Sequence, residues 1–340
     1  MVVVSHAKYQ AAAAQLRTFG DVLRLAEDAA FDMPYEALLS ICAKRVEAEL
    51  KTCMGQHRKA DVADKYVQRY LRGETLTSIA DSIALPPSML CRVVLESHLN
   101  LAKGKEVNNL LKDPSQLTDE RLRREVAHAV EADHFCGPYV DRVKHIAGVE
   151  YEELLAQKLR ALGVPFLTEQ QLRKRGDAKT PDAWLPVPLL VRGRLVHWID
   201  SKATFGDAAS HTDYHAKQFS SYIHRFDAGL VIYWFGYDQS ISHEDPRLIV
   251  ADDLLASECE LATCLPTAAL QAAANPANGD GLSPDPIARS QQLLPSPPVS
   301  RGWSADSAAD GSGHDAERER EAAISRLAAS VVRYDISEAG

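Results

Sequence analysis

The sequence predicts an α/β core, a mixed central sheet flanked by helices, preceded by an all-helical module. Three observations carry this expectation. Apolar residues recur at helical spacing through the first 145 residues. After Gly163 the period falls towards two. The run Ala228–Gly236, AGLVIYWFG, is apolar throughout, as befits a strand covered on both faces.

Taken in order, residues 34–53 place Leu38, Leu39, Ile41, Cys42 and Val46 on one helical stripe. The run 64–73 ends on Gly73, a natural stop. TLTSIADSIA and PPSMLCRVVLESHL give two short helices broken at Leu85–Pro86, a helix-turn-helix-like unit. Arg92 is the only Lys or Arg between Pro87 and Leu101, so tri-helical packing or protein contact is favoured over reading a DNA groove. Residues 112–133 are expected to form a linker helix with Thr118 as N-cap and Asp119 and Glu120 in its first turn. In the next helix Leu154, Leu155, Leu159 and Leu162 form a stripe closed by Gly163. VPFLT is a short strand. DAWLPVPLLV and RLVHWIDSKA read as a hairpin turning at Arg192–Gly193–Arg194. DYHAKQFSSYIHRF returns to helix, RLIVAD is an edge strand, and SECELATCLP closes the ordered part. The expected division is therefore 1–145 helical module, 146–270 α/β domain, and 271–340 a Pro-, Ser- and Gly-rich acidic tail. That tail is read as disordered, with a short terminal helix within 316–335.

The 340 residues carry a net charge of −9, distributed as +1 over 1–130, −6 over 131–265 and −4 over 266–340. No segment is basic enough for avid non-specific nucleic-acid binding. Six cysteines are scattered without a C-x-x-C pair, which argues against a zinc site or a disulfide framework and for reduced thiols inside a cell. No apolar run approaches 18 residues, so neither membrane spanning nor secretion is expected.

The chemistry concentrates in four features. Glu152 lies in the helix before the sheet, with Glu150 as its alternative. Asp182 follows Pro181 in KTPDAWL. Asp200 and Lys202 alternate onto one face of the strand VHWIDSK. Gln218 and Tyr222 are spaced by four on the following helix. An acid and an amine in an apolar strand are costly unless they pair or bind something. Mg²⁺ is a hard cation satisfied by one or two carboxylates, waters and phosphate. Asp182 and Asp200 on adjacent strands suit such an ion, with the Ser201 carbonyl as a third ligand. Lys202 would orient the attacking water, lower its pKa or hold the phosphate, and Glu152 would complete the metal shell, hold a second ion or accept a proton. The loop RKRGDAKTPD adds Arg173, Lys174, Arg175 and Lys179 as candidate phosphate contacts. His197 is expected to point away from Asp200. His211 and His215, four apart, are a weaker metal candidate.

This order of elements and residues resembles the PD-(D/E)xK nuclease superfamily, and the Q-x-x-x-Y helix resembles its RecB-like branch. The stretches LKDPSQL, CGPYVDRVKH, TPDAWLPVP, HWIDSKATFGD, QFSSYIHRF and GLVIYWFG are similar to the codanin-interacting nuclease family over roughly residues 8–270. The resemblance implies a restriction-endonuclease-like core and a Mg²⁺- or Mn²⁺-dependent phosphodiesterase acting on DNA or RNA. Asp182, Asp200 and Lys202 would be its catalytic core and Glu152 the helix acid. A codanin-like protein partner and a location in the nucleus, the cytoplasm or both follow from it too. The competing expectation is a catalytically silent scaffold that keeps the fold for partner binding.

Overall fold

The computed structural model describes residues 3–29, 31–102, 104–243 and 245–261. The tail expected at 271–340, with its terminal helix, lies outside the described residues. Strands are β1 (Val3–Val4), β2 (Leu167–Thr168), β3 (Ala183–Val191), β4 (Arg194–Lys202), β5 (Gly229–Tyr233), β6 (Tyr237–Asp238), β7 (Leu248–Ala251) and β8 (Cys259–Leu261). The main sheet runs β2-β3-β4-β5-β7, with β8 on the second flank of β3, and β1 pairs with β6 apart from it. β3 and β4 are antiparallel, whereas β4–β5 and β5–β7 are parallel, so the sheet is mixed as expected. β7 is its edge strand.

The hairpin turns on Arg192 and Gly193, both at positive φ (49° and 74°), the left-handed pair a two-residue turn needs. Pro186 and Pro188 lack N–H donors, and the β3–β4 register shifts between Trp184 and Leu189, where they fall. On the other side β2 pairs with residues 183–184 and β8 with 189–191, so the prolines break no ladder there. β5 is buried at all five positions, as its composition predicts. A Cβ on Gly229 would lie 2.0 Å from the Trp198 ring. Gly229→Ala is therefore expected to cost about 3 kcal/mol or more, seen as a lowered urea midpoint; an unchanged midpoint would show that the strand slides aside freely.

Helices cover both faces. Pro138–Ala161 lays Leu155 and Leu159 on one face, with Ile199, Leu230 and Ile232. The segment from Ala208 to Phe226, helical with a π turn at His215–Phe219, covers the other face through Phe219, Tyr222 and Ile223 against Trp198 and Val231. Residue 145, the expected boundary, lies inside the helix Pro138–Ala161, so one helix runs through both halves.

The N-terminal half is helical throughout. Leu76–Ser82 and Pro87–His98 cross at 113°, within the helix-turn-helix range. The second of these would be the groove reader, yet Ser88, Leu90, Cys91, Val93, Val94 and Leu95 are buried in it. Its Arg92 is half-buried and donates to the Asn108 side chain. The pair packs through these buried residues, and among the described residues no single helix is long and apolar enough to cross a membrane. The helix expected as a linker is also core: Glu120–Glu131 buries Leu122, Val126, Ala129 and Val130. Its N-cap is Asp119, whose carboxylate accepts from Leu122 N at 2.7 Å, and not Thr118; a carboxylate is the stronger acceptor beside a helix N-terminus.

Candidate functional site

β4 alternates its side chains, so Trp198, Asp200 and Lys202 share one face. Asp200 is 2% exposed. Lys202 Nζ lies 2.5 Å from Asp200 Oδ2 and donates to Gln218 Oε1 at 3.0 Å. The rings of Tyr214 and Phe219 flank the ammonium at 5.0 and 5.8 Å. Nζ forms a close ion pair with the buried Oδ2, which has no further hydrogen-bond donor among the described residues. Burial works to strip the Lys202 proton, but the charges of Asp200 and Asp182 outweigh it and hold the amine above its ordinary value. Lys202 is therefore a fixed cation.

Asp182 precedes β3 by one residue. Extending the register Ala183↔Ile199 sets it directly opposite Asp200, on the same face. Its Oδ2 accepts from Ser201 N at 2.7 Å. Burial first, then the charge of Asp200, push the Asp182 carboxyl well above the usual carboxylate range; Lys202 and the Ser201 amide pull the other way, and Glu152 adds a little. Asp200 is also raised, by burial, against the pull of Lys202. The two helix residues serve different ends. Gln218 holds Lys202, while the buried Tyr222 hydroxyl donates to Thr180 O at 3.0 Å, fixing the chain two residues before Asp182.

Glu152 is exposed on the helix that packs through Leu155 and Leu159, and only its charge reaches Asp182. The three acids anticipated around one ion do not gather: among the described residues, no group of three His, Cys, Asp or Glu is arranged to hold a metal. Asp182 and Asp200 do meet, and two buried carboxylates against one lysine leave excess negative charge. With Lys202 as the one partner of Asp200 Oδ2 among the described residues, the pair fits a hard divalent cation.

The basic loop is surface. Arg173 Nη2 donates to Glu169 Oε1 at 2.6 Å, Lys179 Nζ to Lys217 O at 3.0 Å, Arg175 lies 5.8 Å from the Trp184 ring, and Lys174 is exposed. His211 belongs to the core: its Nδ1 is 2.9 Å from Tyr233 Oη, and burial, with His215 nearby, pushes it down from 6.5 to about 4. A histidine kept neutral in the fold but free to protonate when unfolded contributes stability that is complete above pH 6.5 and lost as pH falls towards 4. Stability is expected to drop on the order of 2 kcal/mol between pH 7 and pH 5, and His211→Asn should flatten that part of the profile. Equal losses in urea titrations of both proteins would refute the assignment.

Two residues that sequence reasoning passed over, Lys44 with its helix neighbour Ser40 and then Glu169, belong here. Lys44, on the helix Tyr35–His57, donates to Asp207 Oδ2 at 2.7 Å, Ser210 Oγ at 2.8 Å and the Phe205 carbonyl. Ser40, one turn earlier, accepts from Phe205 N at 2.9 Å. The helical half thereby grips the segment between Lys202 and Gln218. Glu169 is the other; its negative charge reaches Asp200. Only a tertiary contact reveals the first, but cross-strand register would have found the second.

Residues 118–254 match the family described as a protein of unknown function with a TPD sequence motif, and this chain carries Thr180–Pro181–Asp182 inside that span. The chain is 37% identical to CDAN1-interacting nuclease 1 of Danio rerio over 251 residues, 70% of this chain and 84% of that protein. It is 40% identical to the Bos taurus protein of that name over 225 residues, covering 63% and 80%, and 38% identical to the Homo sapiens one over 242 residues, covering 68% and 83%. No solved structure matches. The chain belongs to the CDAN1-interacting nuclease 1 family.

Proposed function

We propose that this chain is a metal-dependent nuclease that hydrolyses phosphodiester bonds in DNA or RNA, using Mg²⁺ or Mn²⁺. The observation that carries the reading is the facing pair Asp182 and Asp200 at the carboxyl end of β4, with the Lys202 ammonium paired to the buried Asp200 Oδ2. The order of helix Pro138–Ala161, β2, β3, β4, helix and β5 supports a restriction-endonuclease-like core with a PD-(D/E)xK site. Asp182 and Asp200 would hold the cation, with the Ser201 carbonyl as a further oxygen donor and Glu152 adding negative charge from the neighbouring helix. When bound, the cation would polarise the phosphoryl oxygen and acidify a water. Lys202, a permanent cation held by Gln218, fixes the scissile phosphate and stabilises the charge that develops on it. Tyr222 keeps Asp182 at its station. Arg173, Lys174, Arg175 and Lys179 would take neighbouring phosphates, and their exposure suits weak, salt-sensitive contacts. The relatives' name supports a codanin-like protein as partner. A location in the nucleus, the cytoplasm or both accords with that resemblance.

Purified protein with Mg²⁺ is expected to cut DNA or RNA, and Asp200→Ala and Lys202→Ala to lose about 10³-fold or more of that rate. Equal activity in all three would reject the reading. The alternative, a silent scaffold for a partner protein, is favoured by one observation, the lack of a ready three-acid group among the described residues. Calorimetry separates the two, since a nuclease takes up Mg²⁺ or Mn²⁺ at this site and a scaffold does not.

A further inference from the structure

Three strands carry acids in one lateral row. β2 pairs Thr168 with Ala183 and β3 pairs Ala183 with Ile199. One step further along both ladders, Glu169 stands opposite Asp182, and Asp182 opposite Asp200. The Glu169 amide donates to the Asp182 carbonyl at 3.3 Å, so the first pairing continues past the strand end. Directly opposed residues in antiparallel strands share a face. Glu169 thus reaches the site from the far side of Asp182, beside a buried Asp200 Oδ2 that has no donor besides Lys202 among the described residues.

Glu169 is not committed to that cation. Its Oε1 accepts from Arg173 at 2.6 Å, with Thr180 Oγ1 at 3.4 Å. Arg173 is itself 66% exposed in its side chain, and Glu169 36%. A guanidinium so exposed is open to a phosphate, which offers the same two-oxygen geometry as a carboxylate and more charge.

We propose that Glu169 is a third cation-facing acid of this site, withheld by Arg173 until a phosphate takes Arg173 over. Cation and phosphate then bind cooperatively, because the phosphate frees the ligand that the cation needs. The inference rests on the nuclease reading, deepens it, and can fail without it.

The test is Mn²⁺ calorimetry on the full chain. Glu169→Gln should change Mn²⁺ binding little by itself but weaken it about tenfold or more once sulfate is present, whereas Arg173→Gln should tighten it several-fold without sulfate by freeing Glu169. In the double variant the gain should vanish. Sulfate, a tetrahedral dianion that leaves Mn²⁺ soluble, should tighten binding in the wild type but not in Arg173→Gln, with ionic strength held constant by chloride. Unchanged affinity in Glu169→Gln with sulfate present, or no gain in Arg173→Gln, overturns the proposal while Asp200→Asn still abolishes binding. If Asp200→Asn binds Mn²⁺ as the wild type does, the nuclease reading falls instead.

Discussion

Asp182→Asn is expected to melt above the wild type and to have lost cleavage. Two carboxylates face each other with one ammonium against Asp200, and burial and the nearby Asp200 charge make an ionised Asp182 costly. Asparagine keeps an oxygen for the Ser201 amide, so the local hydrogen bond survives while the repulsion goes. A gain of about 1 kcal/mol is expected, typical when an active-site strain is relieved. The sign with pH is fixed. A carboxyl held above its ordinary value of 3.8 costs stability progressively as pH rises past that value, so the variant's advantage is full at neutral pH and gone below about pH 4. Cleavage should fall about 10³-fold or more for want of a cation ligand. Thermal melts at pH 7 and pH 4 alongside a nuclease assay check both halves. A variant less stable at pH 7 would mean that Asp182 is a structural acid.

Lys44→Met is the largest expected effect on stability, a loss of about 3–5 kcal/mol. The ammonium is enclosed by three acceptors, and removing it leaves Asp207 buried without its cation. Asp207 is held below its usual value despite burial because Lys44 and Ser210 face it. Asp207→Asn in the same chain should restore part of the loss, since an amide tolerates burial with the Ser210 donors. The double-mutant cycle in urea isolates the pair. Losses that simply add would show that Lys44 and Asp207 do not stabilise the fold as a pair. Because Asp207 begins the segment leading to Gln218, Lys44→Met should also loosen the grip on Lys202.

Sequence periodicity was enough for the hairpin, the buried strand β5 and the stripe at Leu155 and Leu159, because each is a local pattern repeated over several residues. Asp200 and Lys202 were legible for the same reason: strand alternation puts them on one face, and a charged pair in an apolar strand needs a cause. Asp182 opposite Asp200 followed once the hairpin was recognised. Glu152 was placed by order along the chain, which says where a helix lies and not which way a side chain leaves it; it turned out exposed. Glu169 was passed over because a Glu after Thr168 reads as an ordinary first-turn acid, and its place in the row depends on a ladder two residues long. Lys44 lies 163 residues from Asp207, and nothing in either neighbourhood announces the other. The cap assigned to Thr118 failed on a choice between adjacent acceptors, which local geometry decides.

The pairing of Val3 and Val4 with Tyr237 and Asp238 bears on synthesis. Val3 and Val4 are synthesised long before the residues they pair with. The early helices can coil on their own, since their contacts are close in sequence, but the face of Tyr9 that stacks on Phe205 stays bare until the sheet is translated. For that interval the nascent chain carries an uncovered oily surface. Its yield in a cell should therefore depend on chaperones that shield such surfaces, more than its final stability alone would suggest.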